Sequence, residues 1–95
     1  MNEKNKNRQQ YYNTADQYES NDWVTGQCAE IAFLNLGDQA VPPTGADVTI
    51  LGFKLHPGFG ISFDGNEAEL DTTKYQIVFS GAGVRNCLVV RKNYV

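Results

Sequence analysis

Four carboxylates form the densest group of residues in this sequence that could perform chemistry. Asp64, Glu67, Glu69 and Asp71 lie within a run of eight residues. Carboxylate oxygens are the ligands that Ca²⁺ prefers in proteins, but this group lacks the D-x-D-x-D-G order of a calcium-binding loop. A catalytic carboxylate pair would need a cleft, and a small β domain offers little room for one. We interpret the group as a solvent-exposed loop, with calcium binding as the alternative.

Other residue types used in catalysis occur without the partners that they need. His56, the single histidine, stands in a turn sequence without a nucleophilic Ser or Cys motif. The paired glycines of "GFGISFDG" and "GAGVRN" lack the G-x-G-x-x-G spacing of a dinucleotide site. One histidine and no CxxC motif leave no zinc spacing. The sequence therefore predicts a protein that is not an enzyme, with no catalytic, cofactor-binding or metal-binding residues.

The two cysteines, Cys28 and Cys87, lie in the apolar runs "CAEIAF" and "CLVV". The N-terminal residues "MNEKNKNRQQ" contain no apolar segment typical of a secretory signal. We therefore expect synthesis in a reducing cytoplasm, where cysteines stay as thiols. Two buried thiols are the main interpretation, and a cross-sheet disulfide formed after release is the alternative.

Three tyrosines, Tyr11, Tyr12 and Tyr18, stand in a segment that is otherwise polar and rich in Asn and Gln, residues 1–22. Such a composition cannot bury enough apolar surface to fold alone. Tyrosine is enriched at protein interfaces because its ring is apolar and its tip is polar. We predict an extended N-terminal arm that is ordered against a neighbouring subunit, with Tyr11, Tyr12, Tyr18 and Trp23 as its partner-binding residues. A disordered leader is the alternative.

The segments that follow the arm carry the signals of short strands. Ile31 and Phe33 share one face of the apolar run "EIAFLNLG", and "KYQIVFS" alternates apolar with polar residues. "LG" at 51–52 and "HPGFG" have the composition of tight turns. No long amphipathic helix is indicated. The sequence predicts an all-β fold: a small antiparallel sandwich or barrel of five to six strands over residues 23–95.

Charge and size restrict the partners. Residues 1–10 hold three basic residues against one acidic residue, whereas the other 85 hold five basic and ten acidic residues. This balance gives no basic face for nucleic acid, and no apolar segment reaches membrane length. Arg85, Arg91 and Lys92 suggest an edge strand protected from unwanted pairing, or a contact with an acidic partner. A domain of about 70 packed residues is marginally stable, so we expect a homo-oligomer or lattice contacts.

The run from Val48 to Tyr94 joins four recognisable pieces. A strand and tight turn, "VTILGFKL", precede a proline-glycine turn and strand, "HPGFGISF". A polar loop enters a strand through "ELDTTKYQIVF", and "LVVRKNY" ends a hydrophobic strand with basic and aromatic residues. In this order the run resembles small structural proteins of tailed bacteriophages of Bacteroidetes, including the crAss-like group.

The resemblance implies a virion component assembled in the host cytoplasm: an auxiliary capsid protein, a head decoration or the base of a head fibre. It implies major capsid or other virion proteins as partners and no catalytic residues. The alternative is a small β module that binds glycan or a host surface, in which Trp23 and Tyr94 supply stacking surfaces.

Overall fold

The computed structural model describes residues 11–26, 28–38, 45–64 and 73–94, without the side chain of Tyr94. Within these residues the chain is all-β, with eight strands and no helix. The strands are β1 Tyr11–Tyr18, β2 Asp22–Thr25, β3 Glu30–Asn35, β4 Asp47–Ile50, β5 Phe53–Leu55, β6 Gly60–Asp64, β7 Lys74–Ser80 and β8 Cys87–Tyr94.

The strands form two four-stranded antiparallel sheets. One sheet has the order β1-β8-β3-β6, and the other has the order β2-β7-β4-β5. This arrangement is consistent with a β-sandwich. The prediction of five to six strands is wrong, because the N-terminal sequences "YYNTADQY" and "DWVT" also form strands. Neither sequence alternates apolar with polar residues, so neither was recognised as a strand. In the structure only Val24 of these residues is fully buried.

The buried faces of the two sheets share one hydrophobic core. Ile31 and Phe33 of β3 are buried, as are the alternate residues Tyr75, Ile77 and Phe79 of β7. The Phe33 and Tyr75 ring centroids lie 5.2 Å apart, which joins the sheets directly. The alternation read from both sequences is therefore confirmed. Burying these side chains supplies the main force that holds the sheets together.

Two tight turns have the backbone geometry that their sequences predict. Leu51 and Gly52 link β4 to β5 with φ angles of 48° and 85°. Positive φ at both central residues is the mark of a type I′ hairpin turn, whose twist matches that of the flanking strands. Gly58 takes a φ of 91° in the turn after Pro57, where glycine avoids the steric clash of a Cβ atom.

The basic C-terminal residues do not lie on an edge strand. β8 carries Arg91 and Lys92 between β1 and β3, inside its sheet. The interpretation of these residues as protection for an edge is therefore wrong. The physical reason is that β1 pairs with β8 and covers the edge that β8 would otherwise expose.

Candidate functional site

Residues 11–18 of the segment that we predicted as an arm pair with their own chain in this structure, and residues 1–10 of that segment lie outside the described residues. All eight residues of β1 pair antiparallel with β8, from Tyr11 opposite Tyr94 to Tyr18 opposite Cys87. Asp22 already belongs to β2 and pairs with Ile77, so the sheets begin before Trp23. A contact between this segment and a neighbouring subunit stays a prediction.

The four predicted partner-binding residues fall into three separate places. Tyr11 and Tyr12 are exposed at the start of β1, with 36% and 54% of their surface accessible. Tyr18 lies at the other end of β1, about 23 Å away at 3.3 Å per residue, and packs partly against the core. Trp23 lies in the other sheet and is 61% exposed.

β1 contributes almost nothing to the hydrophobic core. Its first seven residues are exposed, and only Tyr18 is partly buried. The strand is held by its backbone ladder and by polar side chains at the surface. Arg91 donates from Nη1 to Asp16 Oδ2 at 3.2 Å, and Asn93 Nδ2 donates to Thr14 Oγ1 at 3.1 Å.

A cation–π contact also joins β1 to β8. Lys92 Nζ lies 4.4 Å from the centroid of the Tyr11 ring. Such contacts contribute about 0.5–1 kcal/mol at exposed sites. Three consecutive residues of β8, Arg91, Lys92 and Asn93, supply these side-chain contacts with β1. β1 thus occupies an edge position with a defined register and little buried apolar surface.

A second exposed surface lies on the outer face of the other sheet, around Trp23. Trp23 pairs with Gln76 across β2 and β7, and Thr49 pairs with Val78 across β4 and β7. Together with neighbouring residues they form a shallow groove of about 190 Å³. It is lined by Trp23, Thr49, Leu51, Gly52, Lys74, Gln76 and Val78. The groove offers a flat indole and aliphatic groups beside an amide, a hydroxyl and an ammonium group.

Leu51 is an unusual residue for its place in this groove. It is 51% exposed and has a φ of 48°, in the left-handed region that Asn or Gly occupies at lower energetic cost. Local turn chemistry therefore does not account for a leucine here. The exposed Leu51 side chain and the exposed Trp23 indole together give the groove an apolar surface.

The remaining candidate residues are the carboxylate group, the histidine and the two cysteines, and Glu67, Glu69 and Asp71 lie outside the described residues. Of the carboxylate group only Asp64 lies within the described residues. His56 is exposed, and its Nδ1 lies 2.8 Å from Asp47 Oδ1. Cys28 and Cys87 are buried and remain thiols, as the main interpretation predicted. Burial raises the pKa of Cys87 to about 11, so this thiol stays protonated and unreactive at neutral pH.

Sequence reasoning missed one buried polar residue, Asn35. Its side chain is fully buried, and Nδ2 donates to the carbonyls of Ala46 at 2.8 Å and Leu55 at 2.9 Å. Its Oδ1 accepts from the Gly37 amide at 2.8 Å. The signal was present, because Asn35 has the same parity as Ile31 and Phe33 and so faces the core. These bonds tie β3 to the segments around β4 and β5 in the other sheet.

No protein-family model matches the sequence, and a comparison with curated proteins finds no match. In the described part of the chain, no three His, Cys, Asp or Glu side chains come together as metal ligands would. No helical segment with the length and apolarity to span a bilayer occurs in that part either. Two exposed surfaces of the described residues are candidate functional sites, the β1 edge and the Trp23 groove.

Proposed function

We propose that this protein is a structural component of a tailed-phage virion, an auxiliary capsid, head-decoration or fibre-attachment protein. Its β-sandwich body is displayed on or packed within the particle, and its N-terminal segment tethers it to neighbouring subunits. The partners are the major capsid protein or other virion proteins. The resemblance of the run from Val48 to Tyr94 to small phage structural proteins supports this role.

The observation that carries the proposal is the exposure of β1. An edge strand presents a row of backbone N–H and C=O groups that can pair with a strand of another chain. Tyr11 and Tyr12 add exposed aromatic rings at one end of this edge, where a partner could bury them. Soluble proteins that act alone usually cover or shorten such edges, whereas β1 extends over eight residues.

Removing β1 tests the tether. The deletion should cover residues 1–18 and keep Asn21 and Asp22, because Asn21 Oδ1 accepts from the Phe79 amide at 2.8 Å. We expect this variant to keep its β circular-dichroism signal and to lose association with purified particles. A variant with Phe59→Ala, which changes an exposed ring outside β1, should still associate. Full association of the deletion variant would contradict the tether, and absence of the complete protein from particles would contradict the function.

The Trp23 groove favours a second candidate function, the binding of glycan. Exposed indole rings stack on the apolar faces of sugar rings, and amide, hydroxyl and ammonium groups bond to sugar hydroxyls. Trp23, Gln76 and Thr49 supply these groups on one sheet face. The groove is open and shallow, which suits an extended chain of sugars rather than a small enclosed ligand.

Glycan titration separates the two candidates. If the groove binds sugar, Trp23→Ala should weaken binding at least about tenfold, since stacking and burial of the ring contribute more than about 1.4 kcal/mol. Phe59→Ala is the matched control, because Phe59 is equally exposed but does not line the groove. Binding that is unchanged by Trp23→Ala, or no glycan binding by the complete protein, would remove this candidate.

A further inference from the structure

β1 can leave the body without opening the hydrophobic core. No residue of β1 belongs to the buried core, and Tyr18 is its single side chain that packs partly against it. Six of the other strands, β2, β3, β4, β5, β7 and β8, supply every core residue that lies in a strand, and β6, like β1, only packs against this core. Detaching β1 therefore breaks a backbone ladder and a few exposed contacts, and exposes little buried apolar surface. Such strands open at low free-energy cost compared with core strands.

The three side chains that contact β1 belong to β8, so they remain in place when β1 detaches. Asp16 meets Arg91, Thr14 meets Asn93 and Tyr11 meets Lys92. A β1 strand from a second copy would meet the same three side chains in the same register. Exchange between copies therefore conserves every one of these contacts and requires no new surface.

The connection between β1 and β2 has little slack. Residues 19–21 lead from the sheet that contains β1 to the sheet that contains β2. Four peptide steps between Tyr18 and Asp22 span at most about 14 Å, and packed sheets lie about 10 Å apart. Asn21 is anchored by the Phe79 amide, so the path of the chain is fixed on the β2 side. Short connections of this kind favour exchange of an element between copies, because straightening the hinge relieves the tight crossing.

We propose that β1 is a donor strand that is exchanged between copies of this chain, so that β1 of one copy pairs with β8 of the next. This inference rests on the proposed tethering role of the N-terminal segment and names a second copy as its partner. The same contacts stabilise the closed and exchanged forms, so protein concentration determines which form prevails. Crowding of copies on a particle would favour the exchanged form.

Cysteine pairs placed across the β1–β8 ladder test the exchange in the full chain. Ala15 lies directly opposite Val90, and facing residues on antiparallel strands have Cβ atoms about 4.5–5.5 Å apart, close enough for a disulfide after small shifts. One preparation carries Ala15→Cys and another carries Val90→Cys. The two are mixed, incubated and oxidised, and the linked peptides are mapped by mass spectrometry. The mapping separates these links from any formed by Cys28 and Cys87, which are buried.

Exchange predicts a linked dimer between positions 15 and 90, at least about tenfold above a matched control and increasing with concentration. The control mixes Val90→Cys with Ser80→Cys, an exposed residue of the other sheet. A double variant with Ala15→Cys and Val90→Cys in one chain checks the pairing itself. Mixed samples that link no better than the control, while the double variant closes within one chain, would overturn the proposal. Failure of the double variant to link in either way would also overturn it, because β1 then does not pair with β8.

A mass measurement in solution provides a second readout. A double variant with Thr14→Pro and Ala15→Pro lacks two adjacent backbone amides. Adjacent amides of a strand point to opposite sides, so one of the two lost amides faces β8 and its ladder hydrogen bond is removed. We expect light scattering to detect oligomers of the unchanged chain at high concentration and monomers of the proline variant. A chain that stays monomeric at every concentration would contradict the exchange. Neither experiment uses particles. A negative result in either one would contradict strand exchange but not particle association, and failure of the protein to associate with particles would not contradict strand exchange.

Discussion

At the scale of single residues, the fold depends on one polar side chain, Asn35, which is buried in the protein interior. Asn35 satisfies its amide with bonds to Ala46, Leu55 and Gly37, all inside the protein. A buried polar group is favourable when it is fully bonded and costly when its partners are left unmet. Asn35 therefore acts as a specific link between the sheets that apolar packing alone would not provide.

Removing this link should destabilise the protein strongly. Asn35→Ala leaves two carbonyls and one amide in the interior without their partner, so we expect a loss of about 2–4 kcal/mol in the free energy of unfolding. Urea unfolding followed by circular dichroism measures the change. Asn93→Ala is the control, because the Asn93 amide makes its bonds at the surface and should cost less than about 1 kcal/mol. Equal losses in the two variants would contradict the role given to Asn35.

A second residue-scale prediction concerns pH. The pKa of Glu30 is raised, chiefly by its side-chain hydrogen bond with Asp64, then by burial and the Asp64 charge, while Lys92 opposes the shift. A raised pKa means that the folded chain binds this proton more tightly than the unfolded chain. The resulting stability is present below the ordinary value of 4.5 and is lost as pH rises through the raised value.

Glu30→Gln should therefore flatten the pH dependence of stability above about pH 4.5 and raise stability at neutral pH relative to the unchanged chain. Thermal unfolding at a series of pH values measures the effect. Glu19→Gln changes an exposed carboxylate elsewhere and serves as the control. A variant that loses stability at neutral pH would contradict the account, because the attraction between Glu30 and Lys92 would then outweigh the repulsion by Asp64.

At the scale of elements, the alternation of apolar and polar residues predicted the strands that bury one face. Ile31 and Phe33 in β3 and Ile77 and Phe79 in β7 are buried as their spacing indicates. β1 could not be found in this way, because a strand exposed on both faces has no apolar period to read. Its pairing is fixed by the backbone ladder and by residues more than 70 positions away, such as Arg91 opposite Thr14. The Trp23 groove was also hidden, since pairing between strands distant in sequence creates it.

The hairpin turn between β4 and β5 offers a test at this scale. Leu51→Asn should stabilise the protein by about 1 kcal/mol, because Asn-Gly is the preferred pair for a type I′ turn and leucine is strained there. The midpoint of urea unfolding measures the gain. Leu51→Ala keeps the strain but removes the side chain, so it should give no gain. Equal stability of the two variants would contradict the interpretation that Leu51 is strained in this turn.

At the scale of the whole molecule, the two candidate sites lie on different sheets. The β1 edge belongs to one sheet, and the Trp23 groove is formed on the outer face of the other. A copy tethered through β1 would therefore leave the groove open for another partner. This separation suits a small protein that attaches to an assembly through one surface and presents a second surface outward.

The central claim is that this protein is part of a phage particle, and the most direct measurement is its abundance in such particles. Particles are purified by density gradient from a producing culture, and quantitative mass spectrometry compares the protein with the major capsid protein. The account predicts a fixed ratio across the particle band, unchanged by further washing at high salt. Absence of the protein from the particle band, with all of it in the soluble fraction, would contradict the account.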